Sequence, residues 1–173
     1  ENLDRVLLSI FNDMIFELCP EMVHKQCKSY QIGIGCGKVV QEVASLGLKS
    51  KRKDFGIKSD LSKYFDRCKI EVIDEQFDKL EKKLGKSKII DVVRAYYHQD
   101  LCFDTDGNLI EQYQSLKQGC AFAAFLADSI LYDIDERMTK MCKYYVRYSD
   151  DCLLLDEHWE RCKDEFEKMK TTT

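Results

Sequence analysis

The stretch YYVRYSDDCLLL, Tyr144 to Leu155, decides the fold of this 173-residue chain. It reads as a strand that alternates and then stops at two adjacent carboxylates, Asp150 and Asp151, with an apolar run directly behind them. That pattern predicts a largely buried hairpin with two acids at its tip. Uncompensated charge in such a place is costly, so the site has to supply a counter-charge.

Working outward, the length suits one domain with a sizeable core. A composition of 45% hydrophobic and 34% charged residues is that of a globular chain. The longest apolar runs, such as AFAAFLA from Ala121, fall far short of the roughly 20 residues a membrane span needs, and no signal peptide is expected at the N-terminus. Nine cysteines at wide, irregular intervals, without a CxxC pair, indicate neither a disulfide framework nor a zinc site. They read as small core residues in a reducing compartment. A net charge of −4 argues against a stand-alone nucleic-acid binder. The short basic run Lys49, Lys51, Arg52 and Lys53 reads as a solvated loop, with a binding patch as the alternative.

Leu3, Val6, Leu7, Ile10, Met14 and Leu18 recur at helical spacing and predict an amphipathic helix ending near Pro20. Gly33, Gly35 and Gly37 alternate ahead of a second helix starting around Lys38, in a pattern that is neither a P-loop nor a dinucleotide fingerprint. The segment reads as a turn, with a nucleic-acid contact as the alternative. Phe55 and Ile57 alternate toward Asp60 as a short strand. From Glu71 the residues Ile73, Phe77, Leu80 and Leu84 predict a helix closed by Gly85, and KSKIIDVVRAYYH from Lys86 predicts another. LCFDTDGNLIEQYQ from Leu101 sets two strand-like runs around Asp106-Gly107, a hairpin signal. One long helix is expected between Gln118 and Lys140, and EHWERCKDEFEKMK from Glu157 closes the chain as an amphipathic helix. The order predicts an α+β fold, one antiparallel sheet with helices packed on one face and no internal boundary.

If the strand ending at Asp60 neighbours the hairpin, Asp60, Asp150 and Asp151 meet at one sheet edge. Clustered carboxylates with no basic partner built in are a way to hold Mg²⁺, a hard cation that prefers oxygen ligands. Two such ions about 3.5–4 Å apart activate an attacking hydroxyl and stabilise a leaving oxygen. The plainer alternative is that these acids are ordinary turn residues.

These residues resemble a known family, the reverse transcriptases, and within it the bacterial branch of group II intron, retron and diversity-generating retroelement enzymes. YSDD, Tyr148 to Asp151, is similar to their Tyr-x-Asp-Asp box. DLSKYFDRC from Asp60 resembles their first catalytic motif, and LKQGCAFAAFLADSILYDID from Leu116 their second. SYQIGIGCGKVVQEV from Ser29 is similar to the Ser-Tyr-Gly segment of the intron-type enzymes. The chain departs from the family in having Lys117-Gln118-Gly119 where Pro-Gln-Gly is usual, and Ala123-Ala124 where Ser-Pro is usual.

The resemblance implies a polymerase palm over about residues 54–173 with a helical part of the fingers over about 1–53, the upstream fingers strands and the thumb lying outside. It implies an RNA-directed DNA polymerase, inactive as this portion alone, in which Asp60, Asp150 and Asp151, with the Leu61 carbonyl, hold two Mg²⁺ ions that Mn²⁺ can replace. The amides of Lys63 and Tyr64 would face the triphosphate. Phe65 would be the steric gate against a 2′-hydroxyl, its plainer role being a core aromatic. Gln118 would touch the nucleotide, Gly119 would allow close backbone approach, and Tyr148 would pack beside the primer terminus. The implied partners are an RNA template, a DNA or RNA primer and deoxynucleoside triphosphates, and the implied location is the bacterial cytoplasm. A non-catalytic RNA-binding module of the same fold is the competing expectation. A nucleotide cyclase is a weaker one, because its hairpin carries Gly-Gly before the acids.

Overall fold

The computed structural model describes residues 2–49, 54–99, 101–111 and 115–170. In chain order the elements are α1 (Asn2–Leu18), α2 (Cys36–Lys49), β1 (Phe55–Asp60), α3 (Tyr64–Arg67), α4 (Ile70–Leu84), α5 (Lys88–Tyr97), β2 (Cys102–Phe103), β3 (Leu109–Ile110), α6 (Ala123–Ile130), α7 (Tyr132–Met141), β4 (Tyr144–Tyr148), β5 (Asp151–Asp156) and α8 (Trp159–Lys170). Packing divides the chain into two units, Glu1–Cys19 with Lys63–Ile130, and Pro20–Ser62 with Leu131–Thr173. In this division α1 groups with Lys63–Ile130, and α2 and β1 group with the hairpin.

The first unit is helical. Its core joins Phe11 and Ile15 of α1, Phe77 and Leu80 of α4, Ile90 of α5 and Phe122, Phe125 and Leu126 around α6, all essentially buried. Phe122 is the hub, with ring centroids 4.8 Å from Phe11 and 5.7 Å from both Phe77 and Phe125. Arg94 of α5 ties that helix to α4, its Nε donating to Asp74 Oδ1 at 2.9 Å while a second nitrogen meets Asp78. Gly85 ends α4 with φ +82°, a backbone region that favours glycine.

Helix α1 forms where expected but buries a different face. The stripe Leu3, Val6, Leu7, Ile10, Met14 and Leu18 is exposed, Ile10 at 59%, whereas Phe11, Ile15 and the following Cys19 are buried. The helix carries two apolar stripes, and the one with aromatic partners on α6 goes inside: Phe16 meets Phe125 edge-on at 5.3 Å. The hairpin β2–β3 also forms, as a two-stranded sheet of its own rather than part of a single sheet. Its loop is organised by Asp104, whose Oδ1 accepts the amides of Asp106 and Asn108 and whose Oδ2 accepts the Asn108 side chain. These bonds, that of the Asn108 side chain foremost, hold the Asp104 carboxyl below the usual carboxylate range.

The expected long helix from Gln118 to Lys140 is two helices. Residues 117–120 make a turn, with Lys117 at φ 51° and Gly119 at φ 87°, so helix starts only at Ala123. It breaks again at Leu131, whose φ of −89° and ψ of 11° lie in the bridge region. Helix α6 is buried nearly all round, while α7 buries one narrow stripe through Asp135 and Met138. One continuous amphipathic pattern does not describe both.

The second unit carries a three-stranded antiparallel sheet in the order β1-β5-β4. Cys152, Leu154 and Tyr145 face a cluster with Met138 and Cys142 of the α7 end and Cys162 and Met169 of α8. The expectation of helices on one face only is corrected: Val39, Val40 and Val43 of α2 line a groove with Val146, Tyr148 and Leu153 on the other. Tyr144 donates to Glu42 Oε1 at 3.3 Å, anchoring α2 there. All nine cysteines are free thiols, most of them buried. Burial pushes the Cys68 and Cys152 thiols up to about 11. Among the described residues no helix is long and apolar enough to cross a membrane.

The choice of face on α1 is testable by paired truncations. Ile15→Ala should cost about 2–5 kcal/mol as a buried large-to-small change, while Ile10→Ala should stay within about 0.5 kcal/mol. Urea unfolding of the two variants decides it, and comparable losses would return Ile10 to the core.

Candidate active site

The acidic tip is positioned by strand register. Strand β5 pairs with β1 so that Asp60 stands opposite Asp151, and with β4 so that Tyr148 stands opposite Asp151. Directly opposed residues project to the same side of a sheet. Asp60, Asp151 and Tyr148 therefore share one face, the face that α2 borders. The pairing continues past β1, where the Leu61 amide donates to the Asp150 carbonyl at 3.0 Å. Asp60, Leu61, Asp150 and Asp151 thus come together at one sheet edge.

The expectation that these acids have no basic partner is corrected. Lys58 lies two residues before Asp60, hence on the same face, and its Nζ sits 2.9 Å from Asp151 Oδ1. Its ammonium is held above the ordinary lysine range, first by the hydrogen bond to Asp151 and by that residue's charge, with Asp60 and Asp150 adding to the field. Among the described residues no three His, Cys, Asp or Glu side chains converge tightly enough to hold a metal ion. Three like charges at one edge repel, and the Lys58 ammonium offsets part of that repulsion. The donor set, three carboxylates with a backbone segment alongside, is nonetheless all hard oxygen and fits Mg²⁺ in kind.

Beneath the turn lies a pair that the sequence reading did not single out. Arg147 of β4 and Asp135 of α7 are fully buried and joined by two bonds, Nε to Oδ1 at 2.8 Å and Nη2 to Oδ2 at 2.7 Å. Tyr145 donates its hydroxyl to the same Oδ1 at 2.8 Å, and burial pushes that phenol well above its usual range. Nη1 of Arg147 donates to the Ser149 carbonyl at 2.9 Å. Ser149 has φ 56°, and its hydroxyl lies 3.3 Å from that of Tyr30, itself at φ 54°. The segment before Tyr30 pairs with the backbone of Arg147: Arg147 N–H donates to Gln26 O and Lys28 N–H to Arg147 O.

The remaining sequence-derived positions divide between the units. Tyr148 is half-buried in the groove of about 330 Å³ beside α2. In the helical unit, Lys63 takes φ 56° and leads into α3, its carbonyl accepting the amides of Asp66 and Arg67. The Tyr64 hydroxyl donates to Ala127 O at 2.9 Å. Phe65 is only half-buried, edge-on to Tyr64, and its carbonyl accepts the Leu116 amide. Gln118 and Gly119 are exposed and line a cleft of about 600 Å³ with Leu7, Phe11, Val92 and Tyr96. A Cβ at Gly119 would meet open space, so its φ of +87° is the reason for glycine. The basic run of Lys49, Lys51, Arg52 and Lys53 lies outside the described residues, apart from the backbone of Lys49 at the end of α2.

Paired acids at a hairpin tip, set by register against a third on the neighbouring strand and backed by helices, are the arrangement of a polymerase-type palm. The family model for reverse transcriptase (RNA-dependent DNA polymerase) matches residues 3–173, and the chain belongs to that family. Solved structures agree in fold. Telomerase from Candida tropicalis, apo and truncated from the C-terminal domain, superposes with a TM-score of 0.60 at 16% identity, over 97% of this chain and 36% of that one. The same organism's telomerase with the TWJ fragment of telomeric RNA gives 0.60 at 18% identity, covering 97% and 30%. The corresponding Candida albicans complex gives 0.58 at 14%, covering 97% and 31%. The chain thus spans about a third of the length of those telomerases. No curated protein sequence matches it.

Lys58 supplies a direct test of how the acids are compensated. Lys58→Gln should melt at a lower temperature in chelator and gain more from added Mg²⁺ than the parent, since no ammonium then competes for Asp151. An equal Mg²⁺ response in both proteins would remove Lys58 from the account.

Proposed function

We propose that this chain is the palm, with part of the fingers, of an RNA-directed DNA polymerase that extends a primer 3′-hydroxyl with deoxynucleotides on an RNA template. The observation that carries the reading is the register that pairs Asp60 with Asp151 and bonds Leu61 to Asp150, because it gathers acids from two distant motifs at one edge. Two Mg²⁺ ions held by Asp60, Asp150, Asp151 and the Leu61 carbonyl, with Mn²⁺ able to replace them, would supply nucleophile activation and charge stabilisation.

The protein's own residues then do the positioning. The amides of Lys63 and Tyr64, at the start of α3, would be donors for a triphosphate. Tyr64 is pinned through its hydroxyl to Ala127, which holds the neighbouring Phe65 in place. A partly exposed ring there is accessible to a sugar, as a gate requires. Gln118 and Gly119 stand on an exposed turn where a nucleotide can approach the backbone. Tyr148, opposite Asp151, is placed for the primer terminus. The RNA-bound telomerases of similar fold support an RNA partner. The Ser29 segment and the YSDD box support a place in the bacterial branch, among intron, retron and retroelement enzymes.

The Lys58–Asp151 pair favours one competing reading, a palm kept for RNA binding without catalysis. The acids themselves separate the two. In the full-length protein Asp150→Asn should lower primer extension by several orders of magnitude, since it removes ligand charge while keeping shape. In chelator the same variant should melt no lower than the parent, because mutual repulsion among the acids is relieved. Unchanged extension would remove the metal role. Phe65→Ala should raise ribonucleotide use relative to deoxynucleotide use in the same assay, and unaltered discrimination in a folded variant would end the gate assignment.

A further inference from the structure

We propose that the buried Arg147–Asp135 pair is a positioning element for the acidic turn: Asp135 orients the Arg147 guanidinium, which holds the Ser149 carbonyl and so sets where Asp150 presents its carboxylate to a divalent cation. The inference rests on the polymerase reading for its consequence, and on geometry for its substance.

A guanidinium is a rigid plane, so two bonds to one carboxylate leave the third nitrogen no freedom of direction. Nε and Nη2 are both spent on Asp135, and Nη1 points at Ser149 O. Asp135 is fixed in its turn. Its Oδ1 also accepts the Tyr145 hydroxyl, and its backbone carbonyl accepts the Thr139 hydroxyl at 2.7 Å within α7. The Arg147 backbone is held on the far side by Gln26 and Lys28. Through the bond to Ser149 this fixed group reaches the turn.

The turn needs such a hold. Ser149 sits in a left-handed conformation that a non-glycine residue adopts at a cost, and such conformations persist where their surroundings over-determine them. Asp150 follows directly, so a rotation at Ser149 redirects its carboxylate. Packing alone does not explain the pair. Apolar side chains of similar volume would fill the space between α7 and β4 without desolvating two charges, and such replacements are often neutral or stabilising. What they would lack is the third donor.

The test is the double variant Asp135→Leu with Arg147→Met, in the full-length protein, read three ways. Melting in chelator should stay close to the parent. Mn²⁺ binding without nucleotide, followed by electron paramagnetic resonance, should weaken by about 10–100-fold, the usual loss when an outer support of a metal ligand is removed. Primer extension should need about tenfold more Mg²⁺ at half-maximal rate, while KM for the nucleotide changes less than about twofold. A folded double variant that binds Mn²⁺ and responds to Mg²⁺ as the parent does overturns the proposal. Should the double variant not fold, Arg147→Lys keeps charge and bulk but cannot make all three bonds, and parent-like Mn²⁺ binding there overturns it equally. A parent that binds Mn²⁺ tightly, with weaker binding in the variant, supports the positioning role even if neither extends a primer; that result would sink the polymerase reading alone.

Discussion

The register of β5 is the constraint on which the site depends. This strand is paired on both sides, with β1 and with β4, and its residues alternate between the core face and the α2 face. Cys152, Leu154 and Asp156 go to one side, Asp151, Leu153 and Leu155 to the other. A slip of one residue would exchange the two sets, burying Asp151 against Met138 and Cys162 and exposing Leu154. The apolar face therefore does the aligning, and the acids arrive opposite Asp60 as a by-product of burying Leu154 and Cys152. Stability and chemistry are set here by the same pairing, on opposite faces of one strand.

Against that aligned sheet, the polar groups fall into two classes. The exposed ones, Asp60, Asp151 and Lys58, face solvent and are compensated loosely. Asp135, Arg147 and Tyr145, by contrast, are buried and bonded to one another in a small network that also reaches the Ser149 carbonyl. The contrast fits a site whose acids must exchange partners above a support that must not.

Local periodicity made much of this legible. Strands β1, β4 and β5, the helices α4, α5 and α8, and the stop at Gly85 all follow from spacing that acts within a few residues, and Asp60 was placed near Asp150 by assuming only that two strands are neighbours. What failed was decided by tertiary partners. Two stripes on α1 have helical spacing, and nothing local says that Phe11 will find Phe122 while Ile10 stays outside. The break at Leu131 separates a helix buried nearly all round from one with a narrow stripe, which an average over apolar positions blurs. Arg147 looked like the polar half of an alternating strand because its carboxylate is twelve residues earlier, on another element. Lys58 was the readable omission: residues i and i+2 on a strand share a face, so a lysine two before Asp60 had to stand near whatever Asp60 met.

Lys58 also bears on stoichiometry. Counted formally at neutral pH, the edge carries three carboxylates and one ammonium, −3 + 1 = −2, with Asp60, Asp150 and Asp151 against Lys58. One divalent cation balances that sum. A second would leave the edge positive unless it brought anions of its own, which a nucleoside triphosphate has in excess. Under the polymerase reading, the lysine would thus set the order of loading. One ion would then reside with the protein, and the other would enter and leave with the phosphates.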